Sequence, residues 1–291
     1  MTQSSWKTNI PWQVKIISKI VLSRLRVPYS VWSRLDLFKH GFMKDPSYAE
    51  RVFLEHFGQV PPDRRAAGFT CLELGPGDSL LSAIVARKYG AAHTYLVDVA
   101  AFAEQDVEAY RPAGTLLLEA QDAKCEAEHW GSVADMLKCC DADYLTDGLE
   151  ALRRIPTASV DFVWSQAVLE HVKRDEFAAV LRETRRILVP GGVASHRVDL
   201  RDHLGGKLNN LRFSHVRWEG PLFANSGFYT NRLRYSEILA LAEEAGFAVR
   251  ETRKDEWPEL PTDRETLAPE FRGFAEDDLR VQGFFLTLDV P

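Results

Sequence analysis

No stretch of the 291-residue chain approaches the roughly 20 consecutive apolar residues that a membrane-spanning helix needs. The N-terminus also lacks the layout of an export signal, a basic start followed by an unbroken apolar run and a small-residue cleavage site. Cysteine is scarce. The four, Cys71, Cys125, Cys139 and Cys140, form no CxxC pair and no zinc-ligand spacing. Two of them are adjacent, and neighbouring residues rarely bridge each other, so free thiols in a reducing cytoplasm are expected. An excess of positive charge is missing too. With 36 Lys and Arg against 42 Asp and Glu, the net charge is -6, and a surface that neutralises phosphates needs the opposite balance. Nucleic acid is therefore not an expected partner. Internal repeats and low-complexity tracts are absent as well.

What remains is an ordinary globular composition, 45% hydrophobic and 27% charged. The length suits one large domain, or a main domain with a lobe. The charge is unevenly spread. Residues 1–40 carry Lys7, Lys15, Lys19, Arg24, Arg26, Arg34 and Lys39 against the single acid Asp36, a balance of +6, so the rest of the chain must hold -12. Within this stretch Ile10–Val27 places Trp12, Ile16, Ile20 and Val21 at helical spacing beside Lys15 and Lys19. Such a helix can lie in a membrane interface, each cation contributing on the order of 1 kcal/mol near anionic headgroups. The same pattern fits a lid packed over a ligand cleft. The expected localisation is cytoplasmic, with peripheral membrane contact through this segment as an added possibility.

A second helix starts at Asp45-Pro46, a capping side chain followed by proline in the first turn, and offers Ala49, Val52, Phe53 and Phe57 to a core. Gly58 to Gly68, with Pro61-Pro62, reads as a linker. Beyond it short strands alternate with helices, the signature of a doubly wound α/β sheet. Strands are expected at Phe69–Leu74, Thr94–Val99, Tyr144–Thr146, Val160–Trp164, Val193–Val198, Phe247–Arg250 and Val281–Val290. Phe177, Val180, Leu181, Thr184, Ile187 and Leu188 form one helical stripe closed by Pro190-Gly191-Gly192. Ser236 is expected to cap a helix ending at Gly246. The division is a helical extension over 1–65 and an α/β domain over 66–291. Residues 199–235 and 251–280 leave the sheet where such domains keep substrate groups.

The stretch with the most chemistry is Phe69-Thr-Cys-Leu-Glu73-Leu-Gly75-Pro-Gly77-Asp78-Ser79, followed by Asp98 in Tyr95-Leu-Val-Asp98-Val. Glycines after a strand let the backbone turn tightly and approach a ligand, and an acid ending the next strand can accept both ribose hydroxyls. A dinucleotide dehydrogenase would carry its third glycine at position 80, where this chain has Leu80.

Glu73-Leu-Gly75-Pro-Gly77 resembles motif I of the class I S-adenosylmethionine-dependent methyltransferases, with Ser79 in place of their third glycine. Three later segments extend the resemblance, in the family's order. Ser159-Val-Asp161-Phe-Val-Trp-Ser165 is similar to its fourth-strand motif. Val168-Leu-Glu-His171-Val is similar to the segment that follows in ubiquinone/menaquinone-type members. Arg185-Arg-Ile-Leu-Val-Pro190-Gly191-Gly192 matches the approach to strand five. The resemblance implies a seven-stranded Rossmann-like sheet whose last strand is antiparallel and inserted between five and six. It implies S-adenosylmethionine as cofactor, held by Glu73, Gly75, Gly77, Asp78, Asp98, Asp147, Gly148 and Ser165. Asp98 would take the ribose, and Asp147 the adenine amino group. Within the family the chain resembles a bacterial group associated with surface-polysaccharide or natural-product genes. The strand-four motif lacks the N-P-P-Y type of sequence by which the family's nucleic-acid enzymes clamp a base.

Methyl transfer from a sulfonium is an in-line displacement, so the protein mainly aligns donor and acceptor. A base is required only when the nucleophile arrives protonated, as a hydroxyl does, and histidine suits that role. His171 begins the segment after strand four. Asp199, Asp202 and His203 fall just beyond strand five, where an Asp–His pair can orient an imidazole toward a substrate hydroxyl. His203, His171, Asp199 and Asp202 are the catalytic candidates. Asp199, Asp202 and His203 also suit a metal, but their spacing is not diagnostic and none is assigned. Asn209-Asn210-Leu-Arg212-Phe and Ser226-Gly-Phe-Tyr229-Thr-Asn231-Arg232 set aromatics beside amides and cations, a composition that fits a carbohydrate acceptor and equally a packed lid. The expected function is methylation of a small-molecule or glycan-like acceptor at oxygen. The rival is a non-catalytic S-adenosylmethionine-binding scaffold or regulatory subunit.

Overall fold

The computed structural model describes residues 12–14, 16, 43–118 and 125–291. Its strands are β1 (Thr70–Leu74), β2 (His93–Val97), β3 (Ala142–Leu145), β4 (Val160–Gln166), β5 (Leu188–Asp199), β6 (Ala248–Glu256) and β7 (Val281–Asp289). They form one seven-stranded sheet in the order β3-β2-β1-β4-β5-β7-β6. The first five pair in parallel, whereas β7 runs antiparallel to both β5 and β6. This is the expected doubly wound sheet with its last strand inserted. Strand order reverses between β1 and β4, which opens a crevice at the carboxyl ends of those strands.

Both faces of the sheet are covered, and the strand sequences show it as apolar side chains pointing alternately to two cores. On one side Cys71, Phe162 and Trp164 pack with Val52, Phe53 and Phe57 of α1 (Pro46–Phe57) and Ile84 and Val85 of α2 (Leu81–Lys88). The same layer takes α3 (Arg111–Leu117) and α4 (Val133–Cys139). On the other side Leu72, Leu74 and Val163 meet α5 (Leu149–Arg154) and α6 (Phe177–Ile187). The acceptor-side excursion carries two single-turn helices, α7 (His215–Trp218) and α8 (Pro221–Ala224), before α9 (Tyr235–Glu244) joins the second face. Asp45 caps α1 as its sequence implies, accepting the Tyr48 N–H at 2.8 Å. Although α1 lies before the 65/66 division, it is part of the main core, with Phe53 fully buried.

Several sequence expectations need correction. Pro190-Gly191-Gly192 does not separate a helix from a strand; β5 already begins at Leu188, and the register against β4 shifts between Val160 and Phe162. Gly191 takes φ +72°, and the Arg64 guanidinium lies where its Cβ would be and donates to Pro190 O at 2.9 Å. Ser236 is not a cap. It sits inside α9, where its hydroxyl donates to Asp278 Oδ2 at 2.8 Å, while Arg234 is the capping residue. β6 extends to Glu256, so the start of the 251–280 stretch is strand. Two cysteines are not free thiols: Cys125 and Cys139 form a disulfide across 14 residues, brought to a Cα–Cα distance of 5.2 Å by the turn that precedes α4. Cys71 and Cys140 are free and buried.

Most of Ile10–Val27 lies outside the described residues. Of that segment Trp12 packs edge-on against Phe213 at 6.0 Å, and Ile16 is buried with Leu204, Trp218, Phe223 and Phe228. No helix among the described residues is long and apolar enough to cross a membrane.

One buried histidine fastens α1 to the sheet. His56 is fully buried, stacks on Phe285 at 4.7 Å, and places its two ring nitrogens 2.9 Å from Ser195 Oγ and 3.1 Å from Gln166 Oε1. Burial pushes its pKa down to about 4. The folded state thus holds a neutral ring that the unfolded chain protonates below its ordinary value of about 6.5. This contribution to stability is complete above pH ~6.5 and is lost as pH falls toward ~4, and it amounts to roughly 2 kcal/mol by pH 5. Urea unfolding at pH 7.5 and pH 5 tests this: wild type should lose more stability between the two than His56→Gln, by about that amount. Equal losses would show that His56 does not carry the acid sensitivity.

Candidate functional site

The site is built where β1 ends. Gly75 and Gly77 adopt φ +69° and +66°, values that favour glycine. Gly75 donates its N–H to Val97 O at 2.8 Å, which ties the loop to the end of β2. Gly77 N–H donates to Asp98 Oδ2 at 3.0 Å, and Asp98 Oδ1 accepts the Val99 N–H at 2.7 Å. The Asp98 backbone is held on the other side as well, its N–H on Leu145 O and its carbonyl accepting Gly148 N–H, each at 2.8 Å. A carboxylate is thereby fixed directly beside the glycine loop, 8% exposed.

Glu73 lies beneath it, 2% exposed, and its Oε2 has no hydrogen-bond partner among the described residues. Burial pushes its pKa up to about 8, opposed by the neighbouring Ser82 side chain and reinforced by the charge of Asp98. Two acids beside a glycine loop, one with an orphaned buried oxygen, fit a ligand that carries positive charge and a ribose. S-adenosylmethionine carries both.

The remaining cofactor candidates are placed differently. Asp78 is 3.8 Å from Lys44 and its carbonyl accepts from Glu104 N–H. Asp147 faces outward in an ion pair of 2.6 Å with Arg154. Gly148 turns at φ +54° against Val99, and a Cβ there would come 3.2 Å from Val99 Cγ1. Ser165 is fully buried with its hydroxyl 2.7 Å from His196 Nδ1, a bond within the sheet. Sequence reading missed Val99. It follows Asp98 at the rim and is 73% exposed, and its Cγ1 lies against Gly148.

The loop meets the histidines through Val168. A Cβ on Gly75 would fall 2.6 Å from Val168 Cγ2, so the turn after β4 rests directly on the glycine loop. His171 ends that turn. Its Nδ1 is 2.9 Å from Tyr229 O, and its Nε2 is 3.3 Å from His203 Nε2. The two rings lie within 6° of parallel, with centroids 5.0 Å apart. The structure thus brings both candidate bases together. It does not bring Asp202 to them: that side chain is buried, and its oxygens accept N–H groups from Leu204, Gly205, Gly206 and Asn209. Asp199 is committed to Arg201, with Oδ1 2.9 Å from Nε and Oδ2 2.7 Å from Nη2. Burial works to raise the Asp199 pKa, but bonds and charge from Arg201, with His203 beside it, hold it below the usual carboxylate range. Among the described residues no cluster of three or more His, Cys, Asp or Glu forms a metal site.

The amides expected to greet a carbohydrate are structural. Asn231 Nδ2 donates to Leu169 O at 2.8 Å and Val172 O at 3.0 Å, clamping the histidine turn. Asn209 bonds Asp202, and Asn210 bonds Thr230. Arg232, at φ +60°, is buried over the Trp218 ring at 4.9 Å and donates to Phe213 O.

A glycine loop, an acid ending β2 and a reversal of strand order beside them define a nucleoside-cofactor-binding α/β domain. A family model described as a methyltransferase domain matches residues 47–252, and the chain belongs to that family. Its cofactor is S-adenosylmethionine, which the Glu73 and Asp98 geometry fits. No curated protein matches the sequence. Among solved structures, Haemonchus contortus phosphoethanolamine N-methyltransferase 2, with phosphomonomethylethanolamine and S-adenosylhomocysteine, is 16% identical, with 93% of this chain and 60% of that chain covered and a TM-score of 0.49. A Mesorhizobium loti S-adenosylmethionine-dependent methyltransferase is 16% identical over 81% of this chain and 95% of that one, with a TM-score of 0.43. The CurJ carbon methyltransferase is 13% identical over 84% of this chain, with a TM-score of 0.43, and the match spans only 54% of its length. Each is a likeness in fold alone.

Removing the Asp98 carboxylate deletes charge-assisted bonds worth roughly 1.5–3 kcal/mol each. Titration calorimetry with S-adenosylhomocysteine should therefore show Asp98→Ala about 10- to 100-fold weaker than wild type; unchanged affinity would remove Asp98 from the site. Gly75→Ala should also lose binding, because the new methyl meets Val168, and Val168→Ala in the same chain should recover part of it.

Proposed function

We propose that the protein transfers a methyl group from S-adenosylmethionine to an oxygen of a small-molecule or glycan-like acceptor, with His203 as the general base. The observation that carries this reading is the contact between His203 and His171 at the carboxyl edge, one turn from the Val168 side chain that rests on Gly75. A nitrogen or carbon acceptor does not always need a base, whereas a hydroxyl does. When bound, S-adenosylmethionine supplies an electrophilic methyl carbon on a sulfonium, whose departure leaves a neutral thioether.

This chain's residues do the rest. Gly75, Gly77 and the backbone at Asp78 leave room for the cofactor, Asp98 accepts its ribose hydroxyls, and Glu73 places an oxygen near its positive charge. His203 is exposed, so an acceptor can reach it. Residues 66–291 are assigned to catalysis, with 199–235 forming the acceptor side. The packing of Trp12 and Ile16 on that excursion supports the lid reading of the N-terminal stretch over the membrane reading. Because Asn209, Asn210, Asn231 and Arg232 are consumed internally, acceptor recognition falls to other groups around the histidines.

Transfer of tritiated methyl groups to a panel of hydroxylated sugars and phenols tests the proposal. His203→Ala should bind S-adenosylhomocysteine as wild type does and lose turnover by roughly 10²–10⁴-fold. If His203→Ala is as active as wild type, the base is misassigned. Cofactor binding with no transfer to any acceptor would instead support the scaffold reading.

A further inference from the structure

Between the end of β2 and the single turn at Val107, residues 98–106 form neither helix nor strand. An irregular segment of this kind must find partners for its backbone groups elsewhere. At its start the Asp98 carboxylate accepts the Gly77 N–H, and towards its far end Glu104 N–H donates to Asp78 O at 3.2 Å. The segment therefore meets the glycine loop twice, at Gly77 and at Asp78. Lys44 adds charge across the second junction, 3.8 Å from Asp78 and 3.7 Å from Glu104.

The middle of the segment rests on one phenol. Tyr144 stands on β3, at the edge of the sheet. Its oxygen accepts the N–H groups of Phe102 at 3.1 Å and Ala103 at 3.4 Å, and its O–H donates to Ala100 O at 3.1 Å. One hydroxyl thus serves as donor once and acceptor twice. Phe102 N–H is shared with Ala100 O at 3.0 Å, so the hydroxyl closes a tight turn. Burial raises the Tyr144 pKa above the ordinary phenol value, which keeps the donor in place at neutral pH. A second tyrosine secures the far end. Tyr110 is buried, donates to Glu104 O at 2.9 Å and accepts the N–H of Leu80, the residue before α2, at 3.4 Å.

We propose that Tyr144 is a positioning residue for the cofactor, its hydroxyl holding residues 98–104 in their binding shape before the ligand arrives. This rests on Asp98 as the acid that accepts the ribose hydroxyls. The effect is entropic. Without the hydroxyl the segment samples other shapes between its two attachments, and binding must then order it. With the hydroxyl in place that ordering is complete on folding. Tyr144 acts through the backbone and touches no part of the ligand. Because the segment carries Asp98, the dependence follows the nucleoside part of the ligand and not its amino-acid chain.

Titration calorimetry tests this with two ligands, S-adenosylhomocysteine and 5′-methylthioadenosine, which keeps the nucleoside but lacks the amino-acid chain. Tyr144→Phe should bind both more weakly than wild type, by the same factor of roughly 5 to 30. Tyr89→Phe removes a hydroxyl of the same kind, bonded to Glu50 Oε1 at 2.7 Å at the other end of α2, and should leave both affinities unchanged. Hydrogen exchange on the free proteins supplies the second readout. The Phe102 and Ala103 amides should exchange about 10-fold faster in Tyr144→Phe and regain wild-type protection at saturating S-adenosylhomocysteine. Amides of β1 and β4 should match wild type throughout, which marks the change as local. Unchanged affinity in Tyr144→Phe overturns the proposal, as does a loss seen with S-adenosylhomocysteine but not with 5′-methylthioadenosine. Weaker binding with wild-type exchange at Phe102 and Ala103 also overturns it. If Tyr144→Phe behaves as described while Asp98→Ala binds normally, the segment still positions the nucleoside and the ribose reading of Asp98 fails.

Discussion

The atom that Gly75 lacks decides how the site is assembled. At φ +69° and with Val168 Cγ2 2.6 Å from where a Cβ would stand, the glycine loop and the turn after β4 are in contact at the limit of packing. Nothing larger than hydrogen fits between them, so the two segments that would hold donor and base are fixed relative to each other by excluded volume. That contact is stiff because interiors are close-packed and do not yield gradually. The turn is also pinned from outside by Asn231 and Tyr229, so the histidine on it has no loose side.

Much of the polarity that looks chemical serves this stiffness. Asp202 accepts backbone N–H groups from its own loop, and the fully buried Arg234 donates to the carbonyls of Leu200, Asp278, Leu279 and Val281. Burial pushes the Arg234 pKa down to about 10 while Asp278 and Glu237 oppose the shift, so the charge persists. An irregular chain buried at the sheet edge exposes many carbonyls to no water. Guanidinium and amide groups satisfy them at a net gain of about 1 kcal/mol per bond, whereas leaving them unmade costs more.

The sheet was legible because its evidence is local: apolar runs, a proline cap, glycines after β1. Asp98 was legible for the same reason, since spacing along two strands sets its place. The roles of Ser165, Asp202 and Ser236 were not, because each is decided by a partner far away in sequence or by a loop conformation. Ser236 finds Asp278, and Ser165 finds His196 on the neighbouring strand. The His171–His203 contact could be anticipated only as two histidines leaving adjacent strands at one edge, since their pairing depends on the fold of 199–231. The Cys125–Cys139 bridge was hidden because the reading weighed only CxxC spacing, zinc spacing and a bond between the two adjacent cysteines, whereas Cys139 pairs with Cys125 across 14 residues.

The insertion of β7 between β5 and β6 has a consequence for how the chain is made. Synthesis delivers residues in order, and β5 emerges long before Val281–Asp289, the strand that will pair with it from Val193 to Asp199. Until then β5 presents a bare edge of N–H and C=O groups, flanked by an apolar face, while the parallel half of the sheet is already able to collapse. Such an edge is a template for pairing with another chain. The cell's window for misassembly of this protein is therefore set by translation time across the acceptor-side excursion and β6. Any insertion that lengthens this stretch prolongs the exposure without altering a single contact in the finished fold.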